Sequence, residues 1–431
     1  MARARGANAV MAVGFEDSYG APRLSGNVRH PFVSASLGEE QGLEASDLLG
    51  AGREPLDPSR GEANNTGDVV VPLCARNIGD WLKLLLGAPT TVAGLAAGGA
   101  IVFAAQPEAN ATITIAGTAF TFVSGTPTGN QIRIGASLQQ TVANAVRTLN
   151  ASGVPAVKAA TYRAGAKGAS IEILHGTVGV AGNSFALAAG TTPNANATLS
   201  GATLTGGAAS GGFRHTFTSG AQSLPSASVE IGNPEVPAFS TNYGAKANTL
   251  AITLARAGNL NATLGLIAQG ETPIAATSQA GTLTERALLR FSHFSGLVLR
   301  AGAPIADLVA GSINISNGLD AVPAIGRGDG RISGVDEGMF TVTGSNGVRF
   351  SSTEFQQQAE SGEGVDQEYS WSIPGQPWSL RFMVHRVLLP RAKRPVSGPG
   401  GIQADYNWQA AKSAEVGRSL TVVLVNDVAS Y

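Results

Sequence analysis

From Gly311 to Asp320 the chain reads GSINISNGLD: Ile313, Ile315 and Leu319 share one parity, Ser312, Asn314 and Ser316 the other, and Asn317-Gly318 bends the chain. A period of two that ends on a turn dipeptide predicts a half-buried β-strand running into a turn. The pattern recurs along most of the sequence. It predicts strands over 28–37 (VRHPFVSASL) and 68–73 (DVVVPL). After residue 212 it predicts FRHTFTSG, ASVEIGN, NTLAITLARAG, LLRFSHFSGLVLRAG, GMFTVTG, GVRFSS, WSLRFMVHRVLLP and RSLTVVLVND as further strands.

Helical spacing replaces this pattern in three places. NIGDWLKLLLG sets Ile78, Trp81, Leu82, Leu85 and Leu86 on one face, with Asn77 as the N-cap and Gly87 as the stop. SLQQTVANAVRTLNAS sets Leu138, Val142, Ala145, Val146 and Leu149 in a stripe behind Ser137. GIQADYNWQAAKSAEVG places Ile402, Tyr406, Gln409 and Ala410 at turn spacing and predicts a further helix.

Two stretches stand apart. Segment 38–67, GEEQGLEASDLLGAGREPLDPSRGEANNTG, sustains neither period, and a structureless segment of that length in a domain is usually functional. It reads either as a disordered surface loop or as an arm, too polar to fold alone, that carries Leu43, Leu48 and Leu49 and orders against a partner. Segment 92–212 is poor in charge and rich in Ala, Gly, Thr and Asn. Within it NATITIAGTAFTFVSG forms a hairpin around Ala116-Gly117, the helix of Ser137 follows, and strands resume at AVKAATYRA, ASIEILHG and SFALAAG. The order is β-β-α-β-β, and the flanks AGLAAGG and TGGAASGG read as linkers, so this is an inserted domain. The strand-rich blocks 1–91 and 213–431 then make one β-sandwich or barrel-like domain.

Composition narrows the function. Charged residues are 14% of the chain and Gly is 56 of 431, which suits turn-rich β structure that buries surface against copies of itself. A Gly-rich secreted β protein is the alternative on composition. The net charge of -1 gives no global basic field for nucleic acid. A single cysteine, Cys74, excludes an intramolecular disulfide framework. The uncharged run 87–105 is interrupted by Pro89, Gly94, Gly98 and Gly99, so no membrane span is expected. The five histidines are scattered, no metal-ligand spacing or nucleophile motif is present, and neither an enzyme nor a cofactor is expected. The acidic run Glu360, Glu363, Asp366 and Glu368 reads as a solvated loop, and the basic cluster Arg386, Arg391, Lys393 and Arg394 as a solvated or intersubunit segment.

The order of several motifs resembles the tail tube proteins of long-tailed (siphovirus-like) bacteriophages. The carrying stretches are GFEDSYGAP, DVVVPLCARNIGDWLKLLLGAP, FRHTFTSGAQSLPSASVEIGNPEV, GSINISNGLDAVPAIG, GMFTVTG and PGGIQADYNWQAAKSAEVGRSLTVVLVNDVASY. The resemblance implies a mainly β tube fold whose sandwich contributes strands to a hexameric β-barrel ring. Segment 38–67 would be its stacking arm, and Ile78, Trp81, Leu82 and Leu85 its packed helix. Insert 92–212 interrupts the family pattern and looks like a small domain of phage structural proteins. The implied partners are further copies of the chain in stacked rings, a tape measure protein in the lumen, tail terminator and distal tail or baseplate proteins, and DNA in passage. The implied place is the virion tail, assembled in the host cytoplasm. A multidomain β-sandwich binding or adhesion protein of a virion or cell surface is the competing reading.

Overall fold

Strand ladders carry the chain: 47% of it is strand and 11% helix. The computed structural model describes residues 3–49, 52–305, 307–394 and 400–431. Six strands pair antiparallel in the order Ser59–Pro72, Asn261–Ala268, Ala238–Leu254, Leu308–Ser316, Thr341–Arg349 and Gln403–Ala410. A second layer runs Gly296–Arg300, Val365–Ser372, Ser379–Leu388, Leu420–Asn426, Ala208–Thr218 and Thr90–Phe103. The layers join at a corner where Val387 pairs with Ala410. Between them lies one core, with Leu250, Leu264, Ile313 and Trp408 from the first layer and Trp371, Leu380 and Phe382 from the second. Tyr369 and Trp408 meet across it, ring centroids 6.2 Å apart.

The helix Ile78–Leu86 closes one side of this core. Ile78, Trp81, Leu82 and Leu85 are all buried, as its apolar stripe requires. Asn317 donates from Nδ2 to the Leu85 carbonyl, which would otherwise be an orphan at the helix end. Tyr431 seals the first turn. A Cβ at Gly79 would lie 2.2 Å from its ring, so only glycine fits. Asn77 does not cap the helix with its side chain; its amide donates to Cys74 Sγ at 3.3 Å instead.

Residues within 92–212 build a second hydrophobic core from Ile113, Phe120, Phe122, Val146, Leu149 and Tyr162 among others. Strands Thr112–Ile115 and Thr118–Val123 form the hairpin, with Ala116 and Gly117 both at positive φ, the geometry of a two-residue turn. Helix Leu138–Asn150 is capped by Ser137 and packs before strands Ala160–Ala164 and Ser170–Val178. The segment adds a parallel strand, Gln131–Arg133, to those expected, and SFALAAG forms the edge strand Leu187–Ala189.

Three expectations are corrected. The Gly-rich flanks are not linkers: Thr90–Phe103 is one continuous strand between the two cores, paired with Ala208–Thr218. A Gly/Ala ladder needs no side chains, so it leaves no periodic signal. At Gly94, φ +106, an added Cβ would lie 2.3 Å from the Ala208 carbonyl oxygen. The helix expected at 401–417 is instead the strand Gln403–Ala410, with Ala404, Tyr406 and Trp408 buried and Gln403, Asp405, Asn407 and Gln409 exposed. A helix forms at Glu354–Ser361, and strands Asn261–Ala268 and Val365–Ser372 add to those expected, while 28–37 holds only two short strand pieces.

Candidate assembly surfaces

Segment 38–67 pairs with itself within one chain, where the sequence expectation had it ordering only against a neighbour. Gly38–Glu44 runs antiparallel to the first half of Ser59–Pro72, from Gly38 opposite Thr66 to Glu44 opposite Ser59. The polar side chains hide the strand period, but the backbone ladder simply extends the buried half of the same strand. The hairpin root is clamped. Arg331 holds Glu39 with a forked pair at 2.6 and 2.8 Å and donates to the Tyr243 hydroxyl at 2.9 Å, while Ala63 N–H donates to Gly330 O. Past this clamp the arm is exposed, and Leu43, Leu48 and Leu49 are 70%, 68% and 98% accessible. Three exposed leucines on one projecting element make it a candidate contact surface.

The outer face of the first sheet has a different character. Gln409, Thr343, Asn314, Ala251, Thr263 and Val70 lie in one cross-strand row. The next row holds Asn407, Ser345, Ser312 and Thr253, with the Ser312 and Ser345 hydroxyls 2.9 Å apart. The stretches 249–254, 261–268, 308–316 and 341–345 contain no charged residue. Carboxylates stand only at the margins, with Asp68 on one edge strand and Asp405 on the other. Its central strands are thus wetted by hydroxyls and amides and carry no fixed cation for a phosphate, while Arg391 and Lys393 stand at the margin in a groove with Gln403, Asp405 and Asn407.

Two buried charge clusters fix the frame. Asp80, in the first turn of the helix, pairs with Arg286 and lies 3.2 Å from His30 Nε2. Burial raises its pKa, but His30 and Arg286 outweigh that and hold it below the ordinary carboxyl value. Glu368 takes two hydrogen bonds from Arg381, at 2.8 and 2.7 Å, and one from Arg163 at 3.2 Å. Arg163 belongs to the second core's sheet, so this cluster ties the two cores together, beside the bond from Ala164 N–H to Gly302 O at 2.8 Å. Glu368 is therefore not in a solvated acidic loop. The strand parity of Val365, Gln367, Tyr369 and Trp371 is the sequence signal that places it. Among the described residues no group of His, Cys, Asp and Glu is arranged to hold a metal, and no helix is long and apolar enough to cross a membrane.

The model of the phage tail tube protein family matches the chain in two overlapping segments, residues 6–211 and 173–410. The chain belongs to that family. No curated protein matches it. A tail tube protein is a structural component of the virion tail and assembles with copies of itself. In this tail tube protein the second core lies within the matched residues.

Proposed function

We propose that this tail tube protein polymerises as hexameric rings that stack into the conduit for genome ejection, with a tape measure protein in the lumen before infection. Tail terminator and distal tail or baseplate proteins then close its two ends. One observation carries this reading: a clamped arm with exposed leucines projects from one end of a sheet whose outer face is uncharged over its central strands. The arm supplies the contact between rings, and the uncharged face lines the channel. DNA must slide along such a wall, and each cation on it would add a salt-sensitive phosphate contact. Images of the purified protein test the reading directly: stacked rings support it, and a monodisperse monomer at high concentration refutes it.

The face can be tested separately. Asn314→Lys with Thr343→Lys puts two cations in one row of every subunit. Tubes of this variant are expected to retain short duplex DNA at low salt and release it as salt rises, whereas wild-type tubes retain none. Variant tubes that form normally and remain indifferent to DNA would place this face outside the channel.

Residues 92–212 are read as an accessory domain that decorates the tube, between tube-domain parts 1–91 and 213–431. The strands that lead in and out are already paired, with Ala93 opposite Phe213. Replacing 94–212 by a two-residue Asn-Gly turn therefore closes an existing ladder as a hairpin. The shortened chain is expected to form thinner tubes. Loss of soluble protein on this deletion would show that the two cores fold only together.

A further inference from the structure

The strand register sets the arm and a basic rim at opposite ends of one sheet. At the first end, Thr66 pairs with Ile267 and Ile267 with Lys246, and from there the arm runs outward. Beyond Ala63 the hairpin extends roughly 13 Å to Ser59, at about 3.3 Å per residue, before its tip begins. That free part carries Glu44, Asp47, Glu54, Asp57 and Glu62 against only Arg53 and Arg60. None of these is in an ion pair among the described residues.

At the other end the charge is reversed. Arg256 sits in the turn that follows Leu254, and Arg349 ends the strand that pairs with Gln403. Arg391 and Lys393 line a groove beside Gln403, Asp405 and Asn407, and the Arg394 guanidinium lies 5.0 Å from the centre of the Phe350 ring. Arg391, Lys393 and Arg394 are exposed. Val309, 45% accessible at a bulge in the ladder, and half-buried Phe350 add apolar surface at the same end.

We propose that the acidic arm of one copy docks on this basic rim of a second copy, with Arg391, Lys393 and Arg394 facing the arm's carboxylates. This rests on the stacked-ring reading and names the receiving surface. Because the two patches occupy opposite ends of the same sheet, the contact is heterologous and head to tail, the kind that propagates instead of closing on itself. Opposite charge steers the encounter and fixes which end receives the arm. Leu48 and Leu49 at the tip then find apolar cover at Val309 and Phe350.

The experiment is a charge exchange in the full chain. One variant carries Glu44→Lys, Asp47→Lys and Glu54→Lys; the other carries Arg391→Glu, Lys393→Glu and Arg394→Glu. All six positions are solvent-facing, and circular dichroism with gel filtration checks that both variants fold. Each alone is expected to raise the concentration needed for tubes by about tenfold or more at low salt. An equimolar mixture is expected to restore tubes, since the basic arm of the first fits the acidic rim of the second, and the second's acidic arm fits the first's basic rim. Folded variants that polymerise normally alone, or that fail together, overturn the pairing and leave the stacked rings standing. A rim variant that forms normal tubes but changes their retention of DNA also overturns it, and assigns the rim to the genome. Wild-type protein that never forms tubes removes the stacked-ring reading and this pairing with it.

Discussion

Leu48→Asp combined with Leu49→Asp is expected to leave the monomer folded and abolish polymerisation. Both side chains are largely in water in the single chain, at 68% and 98% accessibility, so replacing them removes little intramolecular packing. Burying one leucine stabilises a contact by about 1.5–3 kcal/mol. Two per arm therefore contribute on the order of 3–6 kcal/mol, and two carboxylates forced into the same cover would oppose docking. At about 1.4 kcal/mol per factor of ten, each arm loses a hundredfold or more in affinity. A ring repeats that loss at every subunit. Circular dichroism and thermal melting should match the wild type, while sedimentation should show only small species. Long tubes from this double variant would make the arm a passive surface loop.

The strands that sequence places correctly are those whose side chains record the pleat. Leu308–Ser316 and Leu420–Asn426 alternate core and outer residues, and hydrophobic parity is enough to find them. A ladder can also persist where side chains carry no such record. Thr90–Phe103 is largely Gly, Ala and Thr, with only Ala97, Ile101 and Phe103 buried in the second core, and Gly38–Glu44 is mostly polar, so backbone pairing organises each more than side-chain parity does. In 402–410 two periods coexist: Ile402, Tyr406 and Gln409 match a helical turn, and Ala404, Tyr406 and Trp408 match a strand. Tyr and Trp favour the pleated surface, and the partner strand Thr341–Arg349 settles the choice. Propensity is local; the partner is not.

The two proposed assembly surfaces are legible in the sequence to different degrees. The leucines of the arm are visible as apolar residues in a polar segment, and the uncharged central strands can be read directly once they are aligned. Alignment is what the sequence lacks, because a cross-strand row such as Gln409, Thr343, Asn314, Ala251 and Thr263 joins residues far apart in the chain. The same applies to Glu368, whose partner Arg163 is 205 positions away. An acidic run looks solvated until the fold brings arginines to it.

Glu368 therefore offers the most direct test of how the second core is held. Glu368→Ala leaves Arg381, with 14% of its side chain accessible, without its carboxylate, and leaves Arg163 only a 3.4 Å contact with the Ser370 hydroxyl on the tube-side strand. Removing one member of a buried pair costs about 3–5 kcal/mol, and the residual solvent contact here places the expected loss nearer about 2–3 kcal/mol. The loss should be read by urea unfolding at neutral pH, with faster proteolysis near 205–212 reporting the loosened second core. Acid titration supplies an independent readout. Burial raises the Glu368 pKa, but Arg381 and Arg163 outweigh it and hold the carboxyl below its ordinary value. A depressed native pKa means the unfolded chain takes up the proton first. The stabilisation is then complete above the unfolded value of about 4.3 and fades as pH falls through the lower native value. The wild type should thus lose stability more steeply than Glu368→Ala in that acid range, and the two should converge at its lower end. A variant within about 0.5 kcal/mol of wild type at neutral pH, with a parallel acid profile, would show that the second core is held without this charge cluster, by the ladder of Thr90–Phe103 and Ala208–Thr218 and the Ala164–Gly302 bond.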